Sequence, residues 1–211
     1  MTTLLVVSGT GTEIGKTWLT ARLIEELGRR GRTCAARKPV QSFDPAEGPS
    51  DAEVLGRASG EPPEVVTPRH RWYEVPVAPP MAAEILGRPP IALEDLVRET
   101  TVPEVDVVLV EGAGGPRSPL ADDGDVVDLA EALDASHVLL VAEPGLGTIN
   151  AVLLASAAFP QPPLVYLNRF DAAHDLHIRN RRWLEDVEGL EVCVTIDGLI
   201  DQLDRHPLEV Q

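Results

Sequence analysis

Gly9-Thr10-Gly11-Thr12-Glu13-Ile14-Gly15-Lys16-Thr17 is the stretch on which the reading of the whole chain turns. An apolar run, Leu4–Ser8, stops at its first glycine. From its lysine an amphipathic stretch, Lys16–Arg30, sets Leu19, Leu23, Ile24 and Leu27 at helical spacing. A glycine-rich segment between a strand and a helix is the setting that a phosphate-binding loop requires. Its glycines let the backbone curl so that successive N–H groups face inward, and the helix N-terminus adds positive dipole. Gly11, Thr12, Glu13, Ile14 and Gly15 are then expected to wrap the phosphates of ATP. Lys16 is expected to reach the β- and γ-phosphates, and the Thr17 hydroxyl to ligate magnesium. Five residues separate Gly9 from Gly15, one more than in the common form of the loop. Partition-type ATPases carry a second lysine early in it, where this chain has Thr10 and Gly11.

Working outward, strand and helix signals alternate. Thr33–Arg37 reads as a second strand, and Val105–Val110, His137–Ala142 and Leu164–Leu167 are continuous apolar runs bounded by Gly, Pro or Asp. Runs without alternation suit strands buried on both faces of a parallel sheet. Helical stretches lie between them near Val127–Leu133, Thr148–Phe159 and Leu176–Val187, and Glu191–Ile196 reads as a last strand. This order predicts an α/β fold, a doubly wound and mostly parallel sheet with helices on both faces, of the P-loop NTPase kind. Two stretches break the rhythm. Phe43–Ser50 reads as an exposed loop, and Gly60–Pro90 holds eight of the 19 prolines, an irregular insertion with only Met81–Leu86 helical.

The bulk numbers narrow the class. A chain of 211 residues fits one α/β domain, here read as 1–211, and needs no disulfide or structural metal to support its core. Cys34 and Cys193 read as two small core hydrophobes. No apolar run reaches the roughly 18 residues of a membrane span. MTTLLVVSG lacks a basic n-region and a small-residue cleavage site, so a cytoplasmic protein is expected. A net charge of −16 argues against a nucleic-acid surface, since phosphate backbones are held by many Lys and Arg. Attraction of a triphosphate must then be local, from a few lysines and oriented backbone N–H groups in one cleft.

Three further segments join the loop in order. Lys38-Pro39-Val40-Gln41 ends the second strand, Val110-Glu111-Gly112-Ala113-Gly114-Gly115 ends the third, and Gly145-Leu146-Gly147-Thr148-Ile149-Asn150 precedes a helix. Together these resemble the dethiobiotin synthetase family, with its GTDTxVGKT loop, KPVQTG, VEGAGG and GLGTINH, over roughly residues 4–170. Smaller echoes are Ser50-Asp51 opening a helix and Asn168 after the Leu164–Leu167 strand. The chain departs from the pattern at Phe43, in place of a glycine, at Pro116-Arg117-Ser118, at Ala151, in place of a histidine, and at Val194-Thr195-Ile196-Asp197.

The resemblance implies an ATP- and magnesium-dependent ligase that closes a ureido ring from 7,8-diaminopelargonate and CO2. It implies Lys16, Lys38 and Thr12 as catalytic residues, and Thr17, Asp51 and Glu111 as magnesium ligands. Lys38, Ser42, Gly147, Thr148 and Asn150 are the implied acceptor contacts, and Asn168 the contact to adenine. In the family the Thr148 helix belongs to the partner subunit, which implies a homodimer with sites at the interface. The residues themselves add that strand C-termini of a parallel sheet share one edge, so Lys16 and Lys38 can converge there. A carboxylate ending an apolar strand, as Glu111 does, points to metal or catalytic work. Two alternatives remain open at this level: the same ATP apparatus acting on another acceptor, and a nucleotide-switch ATPase.

Overall fold

The computed structural model describes residues 2–205. In chain order, β1 (Thr3–Gly9) leads through the phosphate loop into α1 (Lys16–Arg29), followed by β2 (Cys34–Arg37), the short β3 (Gln41–Ser42) and α2 (Asp51–Ser59). The proline-rich stretch then forms α3 (Pro63–Val66), a 3-10 turn at Arg69–Arg71, β4 (Trp72–Tyr73) and α4 (Pro79–Ile85). Next come α5 (Leu93–Glu99), β5 (Val107–Glu111), β6 (Pro119–Ala121), β7 (Gly124–Asp125), α6 (Val126–Ala132) and β8 (His137–Ala142). The described chain closes with α7 (Thr148–Ser156), β9 (Leu164–Leu167), α8 (Asp175–Arg182), β10 (Val192–Cys193) and α9 (Ile196–Arg205).

Six strands make one sheet in the order β10-β9-β8-β1-β5-β2, and every pairing in it is parallel. The apolar runs explain why. On β1 the odd residues Leu5 and Val7 enter a core shared with Leu19, Leu23 and Leu27 of α1 and Leu199 and Ile200 of α9. The even residues Leu4 and Val6 enter a second core with Leu96 of α5 and Leu129 of α6. A third cluster seats Val152 of α7 on Leu140, Val165 and Leu167. Helices thus cover both faces, and each fully buried leucine contributes roughly 1.5–3 kcal/mol relative to exposure. The doubly wound parallel sheet read from the sequence is the observed architecture.

The insertion is tied down rather than loose. β4 pairs with β3, Gln41 opposite Trp72 and Ser42 opposite Tyr73, and both aromatics are buried. Arg69 and Arg88 lie over the Trp72 and Tyr73 rings, respectively. At the other end one expectation is corrected. Glu191–Ile196 is not a strand throughout: pairing stops at Cys193, and Ile196 opens α9. Thr195 makes the break, its Oγ accepting from the N–H of Gly198 at 3.1 Å, a hydroxyl cap that alternating apolar residues conceal.

Candidate functional site

All the strand C-termini of a parallel sheet open on one edge, and β1, adjacent to both β5 and β8, stands at its centre. The loop after β1 is fixed at three points, from the ends of β8 and β9. Thr10 N–H donates to the Val141 carbonyl at 2.9 Å, joining the loop to the end of β8. Asn168 Nδ2 donates to the Ile14 carbonyl at 2.8 Å, and Arg169 reaches the Glu13 carbonyl at 3.5 Å. Gly15 sits at φ 90°, and a Cβ there would lie 2.2 Å from Asn168 Nδ2. Both constraints require glycine at that position. Glu13 takes φ 58° without being glycine, the left-handed kink by which the loop turns.

Lys16 is buried beneath this loop and its Nζ donates to the Gly11 carbonyl at 2.8 Å. Burial pushes its ammonium down to about 8; the nearby Lys38 charge adds to that, while Glu111 and Asp51 oppose it. The next residue, Thr17, points at two carboxylates. Its Oγ lies 2.8 Å from Asp51 Oδ1 and 2.8 Å from Glu111 Oε1, although a hydroxyl carries one proton. Lys38, at the end of β2, puts Nζ 2.6 Å from Asp51 Oδ2 and 2.8 Å from Glu111 Oε1. Burial alone would lower the Lys38 ammonium, but Asp51 and Glu111 outweigh it and hold it above the ordinary lysine range. Burial would likewise lift the Asp51 carboxyl, yet Lys38, Thr17 and Lys16 hold it below the usual carboxylate range.

Local sequence explains how these groups meet. Ser50 caps α2 in a capping box with Glu53, which sets Asp51 at the first helical position. Gln41 Oε1 accepts the Ala52 N–H at 3.0 Å, so β3 holds that same first turn. Sequence reasoning quoted Gln41 as part of a motif but gave it no task. Arg169, which no sequence signal marked, also belongs to the loop's support. Arg37 turns away, as alternation along a strand requires, donating to Thr101 and pairing with Glu61.

The oxygen donors suit a small hard cation. Glu111 is 1 % exposed, and its Oε2 is buried without a hydrogen-bond partner. Two carboxylates and a hydroxyl make the sparse set that magnesium completes with water and phosphate oxygens. Among the described residues no cluster of three or more His, Cys, Asp or Glu is arranged for a metal, so nothing favours a zinc-like cage.

The remaining expected residues lie on the loop, on β3 and at the start of α7. Thr12 is exposed on the loop and Ser42 half-buried on β3. Gly147, at φ 91°, precedes α7, whose first residue Thr148 is buried with its Oγ unpartnered, while Asn150 is exposed. Phe43 packs edge-on against Trp72, ring centroids 5.9 Å apart, so the residue in place of a glycine serves the insertion's anchor. The run at Asp122–Asp125 is structural: Asp122 and Asp123 accept the Ile91 and Leu93 N–H groups, and Asp125 caps α6. A cleft of about 650 Å³ opens at the opposite edge between the ends of α6 and α7. Its lining includes Glu131, Asp134 and Glu191 and neither lysine nor arginine, the wrong chemistry for a polyanion.

Comparison with known proteins bears on the family and the fold. A family profile described as an AAA domain matches residues 3–192. The chain is 42% identical over 160 residues to the ATP-dependent dethiobiotin synthetase BioD of Caulobacter sp. (strain K31), covering 73% of this chain and 69% of that protein. To the synthetase of the same name from Streptomyces coelicolor (strain ATCC BAA-471 / A3(2) / M145) it is 38% identical over 194 residues, 88% of this chain and 79% of the relative. Among solved structures, the signal recognition particle receptor FtsY of Elizabethkingia anophelis superposes with a TM-score of 0.58 at 15% identity, covering 94% of this chain and 61% of that one. That likeness concerns the fold alone.

Proposed function

The chain belongs to the dethiobiotin synthetase family, and on that premise we propose that it closes the ureido ring of dethiobiotin from 7,8-diaminopelargonate and CO2, coupled to ATP hydrolysis. It is a ligase. The observation that carries the reading is the convergence of Lys16, Thr17, Lys38, Asp51 and Glu111 at one strand edge, beside a loop shaped for phosphate. The reading treats residues 1–211 as one domain and places the reaction in the cytoplasm.

One amine of the substrate adds to CO2 and loses a proton, giving a carbamate. A carbamate oxygen takes the γ-phosphoryl group of ATP, and the second amine then attacks the carbamoyl carbon and expels phosphate. Carbamate and triphosphate are both anions, so screening their repulsion comes first, and stabilising the charge of phosphoryl transfer second. Loop N–H groups from Gly11 to Gly15 and the Lys16 ammonium hold the β- and γ-phosphates. Thr17, Asp51 and Glu111 hold magnesium, which supplies charge neutralisation at the phosphates. Lys38 faces the carbamate, and Thr12 and Ser42 orient its oxygens or those of the transferred phosphoryl. Asn168 acts on the ATP side, fastening Ile14 of the loop with its amide.

The substrate's carboxylate is assigned to the N-terminus of α7, with Gly147, Thr148 and Asn150 at the turn. The buried, unpartnered Thr148 hydroxyl supports a polar ligand there. Leu146 is 93% exposed and Leu154 69% exposed, apolar surface on this very turn and helix. Both features support a homodimer in which α7 of one copy completes the site of the other. Genetic complementation tests the activity. A biotin auxotroph lacking the ring-closing step should grow without dethiobiotin when it carries this chain. Growth that still requires dethiobiotin, with the protein present and folded, would refute the assignment.

A further inference from the structure

The whole chain contains two lysines, Lys16 and Lys38, beside 16 arginines. Both lie in the site. Lys38 is the more confined, its side chain 4% exposed and its Nζ within hydrogen-bond reach of Asp51 and Glu111, with the Gly112 carbonyl at 3.5 Å. These two carboxylates are the ones assigned to the ion. The Lys38 ammonium therefore stands where a cation bound by Asp51 and Glu111 would be neutralised. A divalent ion needs the same oxygens at about 2.0–2.1 Å. It brings twice the charge, and like charges at that range repel strongly inside a cleft. A lysine carries its charge on a flexible four-carbon stem, so it can yield the position without any backbone change.

We propose that Lys38 is the resident cation of the Asp51–Glu111 pair, and that a divalent ion displaces its ammonium toward the phosphate loop. The inference rests on the ion assignment above and adds an order of events. Without the ion, Lys38 is neutralised and withheld from the acceptor. With the ion in place, the lysine is released beside the phosphate loop, where the carbamate is to be held. The Glu111 Oε2 atom, buried and unpartnered while Lys38 occupies Oε1, is the coordination that the exchange completes. Thr17, whose single proton faces two carboxylates, is the other group that gains a role.

The composition makes the test direct, because amine-selective reductive methylation of the unmodified protein reports on only two side chains. Methylation at each lysine is followed by peptide mass spectrometry while Mn2+ or Mg2+ is titrated without nucleotide, and Mn2+ binding is measured in parallel by electron paramagnetic resonance. Lys38 should be slow to react without the ion and several-fold faster along the binding curve, with Lys16 changing little. Ion binding that leaves Lys38 protected, or protects it further, would overturn the exchange while sparing the ion site. No ion binding at all, in the presence or absence of an ATP analogue, would overturn both. In variants, Lys38→Met should tighten Mn2+ binding several-fold. Lys16→Met removes the same charge without vacating the carboxylates and sets the scale of simple charge removal. An equal effect of the two substitutions contradicts the exchange.

Discussion

The phosphate loop and the turn before α7 are built on opposite principles. Around the phosphate loop the charged and amide groups hold one another in place: Lys16 on Gly11, Asn168 on Ile14, Lys38 on Asp51 and Glu111, Gln41 on Ala52, with Glu111 Oε2 left open for an ion. At the turn before α7, Leu146 and Asn150 are exposed and the Thr148 hydroxyl is unpartnered. The first end is preorganised, since a group held by its own fold costs little reorganisation when charge develops beside it. The second end carries exposed apolar and unpartnered polar groups, which a second copy and a substrate would cover in the proposed homodimer. The difference predicts that damage at the first end removes phosphoryl chemistry, while damage at the second spares ATP and removes its coupling to the acceptor.

The largest effect should come from the preorganised end. Lys16→Ala is expected to reduce kcat/KM for ATP by roughly 10³, the order seen when a preorganised charge stabiliser is removed; retained turnover in a steady-state phosphate assay would sever the loop from ATP. Glu111→Ala comes next. It deletes a carboxylate proposed to bind the ion, and the magnesium concentration for half-maximal activity should rise about 100-fold, whereas an unchanged magnesium curve removes Glu111 from the ion site. Leu154→Asp probes the second end with a smaller effect. Sedimentation should show monomers, and diamine-stimulated phosphate release should fall more than about tenfold, with equilibrium ATP affinity preserved. Loss of ATP binding in that variant would dissolve the contrast between the two ends.

The mildest effect concerns pH. Burial favours the neutral form of Lys16, whose ammonium is therefore present below about 8 and lost above it. Since kcat/KM reports the free enzyme, its value for ATP should decline as pH rises through about 8. A profile flat to pH 10 would show that the loop lysine keeps its charge.

This division also marks what the sequence made legible. The preorganised end is local: a loop between a strand and a helix, a lysine before Pro39, and a carboxylate ending an apolar run each announce themselves in a few residues. The sheet followed for the same reason, because Val107–Val110 and Leu139–Ala142 are buried on both faces and belong to unbroken apolar runs. What stayed hidden depends on contacts far apart in the chain. Gln41 reaches Ala52, Arg169 reaches Glu13 across 156 positions, and Phe43 finds Trp72 through the pairing of β3 with β4. α9 was misread because Val192, Val194 and Ile196 alternate like a strand, while a single hydroxyl, that of Thr195, stops it. Its Asp197 and Asp204 then pair with Arg30 and Arg32 beside α1, a match that no local pattern reveals.

The most direct measurement of the central claim is phosphate release from magnesium-ATP and bicarbonate, with and without 7,8-diaminopelargonate, with dethiobiotin quantified by mass spectrometry in the same samples. Ring closure by this chain gives release that depends on the diamine and is matched mole for mole by dethiobiotin. Release that is indifferent to the diamine, with no dethiobiotin formed, would contradict it.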